Sequence, residues 1–152
     1  MRSEIISAGK SINLALSERG WTALKKVGAN KAVAGIGIPM YKRIIHDKEG
    51  KISQQPYGNQ GQAIYSVSRG ELNVLMMELA EENGAKLHFN EKCVEANLEK
   101  SYAIFENTNT GLKQEIPSDL LIGADGSFSA VRKQMVTQYQ HKYEYNQIEH
   151  DY

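Results

Sequence analysis

The run Asp119 to Arg132, DLLIGADGSFSAVR, sets a carboxylate among small residues at a sharp change of direction. Leu120, Leu121 and Ile122 lead into Gly123, Asp125 and Gly126, and Ser129 opens a short helical pattern ending in Val131 and Arg132. Read by pattern, this is a buried parallel strand, a tight turn and a helix. A strand ending in a Gly-rich turn at a helix N-terminus leaves unpaired backbone N–H groups where a phosphate can sit. An ordinary strand-to-helix turn uses the same residues, because Gly and Asp are common in turns everywhere.

Three further side chains have suitable chemistry. Arg43 carries a planar fork that suits a carboxylate, and Tyr57 supplies a hydroxyl that a hairpin would bring toward it. A surface arginine and a half-buried strand tyrosine fit the same pattern without a ligand. Arg69 opens the longest helical pattern, where a cation opposes the helix dipole; a ligand phosphate or a carboxylate partner would offset that. Cys93, beside Val94, reads as a small core residue, and His141 and His150 lack a set of metal-ligand partners. Catalytic residues and metal ligands are therefore assigned to none of these positions.

The elements that must position these groups alternate in character. Ser11 to Leu16 reads as extended, and Ser17 is a suitable N-cap for a helix from Glu18 to about Val27, stopped by Gly28. Trp21, Leu24 and Val27 fall on its apolar face. A short helix is expected over Asn30 to Ala34. Strands follow over Tyr41 to His46 and Lys51 to Gln55 around DKEG, with another over Ala63 to Val67. Ser68 caps the clearest helix, Arg69 to Glu82, with Leu72, Leu75, Met76 and Leu79 spaced as one buried face. Strands are then expected at Ala85 to Phe89, Val94 to Leu98, Tyr102 to Glu106 and Leu112 to Ile116, before the strand that opens the Asp125 turn. The fold class is α/β with an antiparallel insertion.

The totals fit a globular domain: 152 residues, 41% hydrophobic and 24% charged. With 18 basic and 18 acidic side chains the chain makes no electrostatic case for nucleic acid. The charge is unevenly spread, net +5 over residues 1–50 (9 Lys/Arg against 4 Asp/Glu) and −7 over 71–125 (4 against 11). A basic front segment suits an anionic ligand or simply a solvated surface. One cysteine forms no internal disulfide, and no run reaches the roughly 18 apolar residues of a membrane helix. A cytoplasmic location is the default expectation.

GADG followed by S-x-V-R resembles the corresponding turn of the flavin-dependent aromatic hydroxylases, and the match strengthens upstream. GKSINLALSERG (Gly9 to Gly20), GIPM (Gly37 to Met40), PYG (Pro56 to Gly58) and SVSR (Ser66 to Arg69) appear in that family's order, and the resemblance is to its kynurenine-hydroxylating branch. The resemblance implies a partial FAD/NAD(P)-binding, Rossmann-like domain, FAD as cofactor, NADPH as cosubstrate and L-kynurenine as substrate. It implies substrate-binding roles for Arg43 and Tyr57 and cofactor-binding roles for Ala15, Arg69, Cys93, Asp125, Gly126 and Ala130, with Arg132 in support. Lys10 stands where the family usually has arginine, and Tyr41 where relatives often have a basic residue.

The GxGxxG unit that opens such a domain and the later GD pair are not in this sequence. The chain is therefore expected to be a slice of a longer enzyme, inactive alone. Residues 1–136 would be an incomplete FAD-binding domain with a substrate-side hairpin at about 39–67, and 137–152 the start of a substrate domain. Self-association through uncovered sheet edges is a corollary. Two other readings stay open on the residues: a related flavoprotein with a different aromatic substrate, and a non-catalytic module that holds a small carboxylate.

Overall fold

The computed structural model describes residues 13–138 and Asn146. Its contacts divide the chain into two compact units, residues 1–87 and 88–152.

In the first unit β1 (Asn13–Leu16) leads into α1 (Glu18–Lys26) and α2 (Asn30–Ile36), and β2 (Ile38–Met40) into the hairpin β3 (Lys42–His46) and β4 (Ile52–Pro56). The strand β5 (Ile64–Ser68) then runs into α3 (Arg69–Glu82). β5 is the centre of a three-stranded antiparallel sheet ordered β1-β5-β2, and β3 and β4 pair separately. Val33 and Val67 are fully buried and Ala29 and Trp21 are buried as well; α3 packs on both α2 and β5. Trp21 meets Tyr65 edge to face, with ring centroids 4.9 Å apart and planes at 79°.

Local chemistry explains most of these boundaries. Ser68 Oγ accepts from Glu71 N at 3.4 Å and caps α3. At the other end Gly84, at φ +87°, ends α3 in a Schellman motif: Gly84 N donates to Glu81 O and Ala85 N to Ala80 O. In the hairpin, Asp47 Oδ1 accepts from Glu49 N and Lys51 N while Gly50 takes φ +79°. Ser17 behaves otherwise than expected. Its backbone is extended as an N-cap requires, but its side chain makes no capping hydrogen bond.

The second unit is the antiparallel meander β6 (Glu91–Asn97), β7 (Tyr102–Asn107) and β8 (Lys113–Pro117), with α4 (Ala130–Gln138) packed on β6. Ala96, Ala103, Ser129 and Val131 are its buried residues. Two expected strands are not formed. Residues 85–89 carry apolar alternation, but Ala85 N–H is bound back to α3 and no ladder follows. Residues 120–122 also find no partner strand among the described residues, and Leu120 and Ile122 are 75% and 77% exposed. Every strand pairing among the described residues is antiparallel, so the expected parallel strand before Asp125 is not made here. The α/β character and the antiparallel excursion stand. The segment 139–145, with His141, and His150 lie outside the described residues.

Candidate functional site

The β3–β4 register decides which hairpin side chains share a face. Arg43 lies opposite Gln55, and Tyr57 N donates to Tyr41 O at 3.0 Å, two pairs further along the same ladder, beyond Lys42 and Pro56. Side chains alternate along each strand, so Tyr41, Arg43, Gln55 and Tyr57 project from one face, with Arg43 and Tyr57 on a diagonal. The sequence reading brings this pair to one pocket from neighbouring strands; the register puts both on one face of the hairpin. Arg43 donates through Nε to Gln55 Oε1 at 2.8 Å and through Nη2 to the same oxygen. Tyr57 also lines a cleft of ≈ 670 Å³ with Trp21, Lys25, Lys31, Gln62 and Tyr65, which Arg43 does not line.

A second group gathers where β1 meets the β5–α3 junction. Ala15 pairs with Ser66 and Asn13 with Ser68, so Arg69 follows the residue opposite Asn13, two positions along β1 from Ala15. Both are exposed. Among the described residues Arg69 has no hydrogen-bond or ion-pair partner, so the carboxylate that would offset its place at the α3 N-terminus is not there. An exposed guanidinium with no partner among the described residues is free to hold an anionic group.

The Asp125 turn is built differently from the expectation of open N–H groups. Asp125 Oδ1 accepts from Ser129 Oγ at 2.5 Å, and its Oδ2 accepts from Ala130 N at 2.7 Å and Val131 N at 3.4 Å. Ser129 Oγ in turn accepts from Arg132 N at 2.9 Å. The first three helical N–H groups of α4 are therefore taken by Asp125 and Ser129, and the expected open phosphate cradle is not present. The Arg132 guanidinium folds back onto the carbonyls of Gly126 and Ser127. Gly126 sits at φ +78°, in the left-handed region, while a Cβ on Gly123 would come within 2.9 Å of Val131 Cβ. Each glycine has its own reason: one for the turn, the other for the approach of α4.

These bonds set the electrostatics. The hydrogen bond from Ser129, followed by the backbone N–H donors, holds the Asp125 carboxyl below its ordinary 3.8. Cys93 lies at the bulge where β6 shifts register against β7. Burial chiefly, and then the charge of Asp125, push its thiol above the ordinary 9.0. This is a resting thiol rather than a nucleophile. Cys93, Asp125, Gly126 and Ala130 thus belong to one unit, and Ala15, Arg43, Tyr57 and Arg69 to the other.

Sequence reasoning missed Gln55 and Ser129. Gln55 precedes Tyr57 by two and so shares its strand face; Ser129 precedes the α4 pattern as an N-cap. Both signals were present in the spacing.

Residues 14–149 match the FAD binding domain family, and this chain belongs to it. It is 44% identical over 131 residues to kynurenine 3-monooxygenase of Flavobacterium johnsoniae, covering 86% of this chain and 29% of that one. With the Anopheles gambiae kynurenine 3-monooxygenase it shares 41% over 154 residues, all of this chain and 32% of the relative. The chain thus spans about a third of the length of these relatives. The crystal structure of the flavin-dependent monooxygenase PieE in complex with FAD and substrate has the same fold, at TM-score 0.72 and 21% identity, over 84% of this chain and 26% of that one. Among the described residues no helix is long and apolar enough to cross a membrane.

Proposed function

We propose that the protein carrying this chain uses FAD and NADPH to hydroxylate L-kynurenine to 3-hydroxykynurenine. The observation that carries this reading is the 41–44% identity to kynurenine 3-monooxygenases over nearly the whole chain, with Arg43 and Tyr57 on one hairpin face. When bound, FAD supplies the oxygen chemistry once NADPH has reduced it. The residues of this chain bind and orient. The Arg43 fork takes the kynurenine carboxylate and the Tyr57 hydroxyl adds a hydrogen bond beside it. The Arg69 cation faces the flavin pyrophosphate. Ala15, Cys93 and Ala130 offer small or apolar contacts to the cofactor, and Asp125 and Gly126 fix the turn that approaches it.

Within this reading, residues 1–136 belong to the FAD-binding domain, residues 137–152 begin the substrate domain, and the chain alone is inactive. The protein works in the cytoplasm, and uncovered strand edges favour self-association of the isolated chain.

The test is the flavin absorbance of the protein at its full natural length, with NADPH oxidation followed with and without L-kynurenine. A yellow protein whose NADPH oxidation is stimulated by kynurenine is expected. A yellow protein indifferent to kynurenine, and stimulated by another aromatic compound, would overturn the substrate.

A further inference from the structure

We propose that Gln55 is a positioning residue for Arg43: its amide oxygen pins the guanidinium side-on and leaves the end-on edge for a carboxylate. This deepens the reading of Arg43 as the cation for the kynurenine carboxylate and rests on it. Gln55 lies directly opposite Arg43 in the hairpin ladder, and its Oε1 accepts from Nε at 2.8 Å and from Nη2. A guanidinium carries five N–H groups. Gln55 takes two of them, both on the Nε–Nη2 side, and the pair along the Nη1–Nη2 edge keeps the spacing that a carboxylate matches with two parallel hydrogen bonds.

The chemistry of the amide suits this task. A neutral acceptor restrains the long arginine without neutralising it, whereas a carboxylate at the same place would occupy the charge intended for the ligand. Arg43 and Gln55 are both exposed, so their pairing adds little to the stability of the hairpin. Its effect falls on the ligand: an arginine already held in place loses less freedom when the carboxylate arrives. Tyr57, on the same face and diagonal to Arg43, then meets a carboxylate whose direction is set. On the opposite face Lys42 donates to Gln54 Oε1 at 2.5 Å, a similar pair turned away from Arg43 that serves as an internal comparison.

The test uses the FAD-loaded protein at its full natural length and the change in flavin absorbance on binding. Two ligands are titrated: L-kynurenine and the corresponding amine that lacks the carboxylate. Gln55→Leu is expected to weaken kynurenine about tenfold and the carboxylate-free amine less than about twofold, the loss of one charge-assisted positioning contact. Gln55→Glu weakens kynurenine further than Gln55→Leu, because the new carboxylate competes for Arg43. Gln54→Leu moves neither ligand by more than about twofold, as expected of a surface residue off the site. A Gln55→Leu protein that binds kynurenine as before, or that weakens both ligands alike, overturns the proposal. Arg43→Ala separates the two levels. Unchanged kynurenine affinity there removes the carboxylate reading and this proposal with it, whereas loss at Arg43 with none at Gln55 overturns only the role of Gln55.

Discussion

Arg43 and Gln55 face one another across the β3–β4 ladder, and one amide oxygen accepts two hydrogen bonds from the guanidinium, through Nε at 2.8 Å and through Nη2. The guanidinium is thus oriented by a neighbouring side chain, although both residues are exposed. Orientation at a surface site comes here from strand register rather than from burial.

Replacing the planar fork by a point charge separates geometry from charge. Arg43→Lys keeps the cation and loses both the Gln55 pairing and bidentate capture of a carboxylate, about 1.5–3 kcal/mol for a hydrogen bond to a charged group. Kynurenine affinity is expected to fall more than tenfold while the flavin spectrum of the purified protein is retained. A titration showing native affinity would remove the fork from the site.

The Asp125 carboxyl is held below 3.8 by its hydrogen bonds from Ser129 and the α4 backbone. A depressed folded value means that the charged form favours the folded state at pH above the ordinary value, and that this contribution is lost as pH falls through the lowered one. Asp125→Asn is expected to have a lower Tm at neutral pH and a shallower fall of Tm below pH 3.8. Thermal melts at a series of pH values check this; parallel curves for the two proteins would count against it.

Gly123 and Gly126 respond to different remedies. Gly126→Ala strains a left-handed backbone at φ +78°, by about 1–2 kcal/mol. Gly123→Ala drives a methyl against Val131, an overpacking worth about 1–3 kcal/mol. Adding Val131→Ala is expected to recover part of the stability of Gly123→Ala and none of that of Gly126→Ala, measured by urea unfolding as a double-mutant cycle.

Trp21 is buried against Tyr65 with its Nε1 unpaired. Trp21→Phe keeps most of the apolar contact and removes an unsatisfied donor, so it is expected to cost less than about 1.5 kcal/mol. Trp21→Ala opens a cavity and costs about 3–5 kcal/mol. Equal losses for the two substitutions in urea unfolding would show that the indole N–H, rather than the ring volume, matters.

Much of this was legible before the coordinates. The helix from Arg69 to Glu82 was readable because its cap, its periodic Leu and Met positions and its terminal Asn-Gly agree, and Gly84 forms the expected stop, but the expected buried face is only half-buried: no residue of α3 is buried. The DKEG hairpin was readable for a similar reason, since Asp47 and Gly50 fix the turn and the turn fixes the register of Arg43. What failed was the inference of strands from apolar runs alone. Leu120 to Ile122 has the composition of a buried strand, but a strand exists only when another backbone completes its ladder, and among the described residues none does. The Asp125 turn failed in a subtler way. Gly and Asp at a helix start identify the turn but not who takes its donors, and the carboxylate itself takes them.

That internal capping gives the Gly-Ala-Asp-Gly turn a fixed outline. Asp125, Ser129 and Arg132 close a ring of side-chain and backbone bonds around the first turn of α4. Under the proposed function, a cofactor docking there would meet a surface whose shape is already set by these hydrogen bonds, in the manner of a machined seat rather than a hand that closes. In that role the turn would contribute recognition through shape rather than through adjustment.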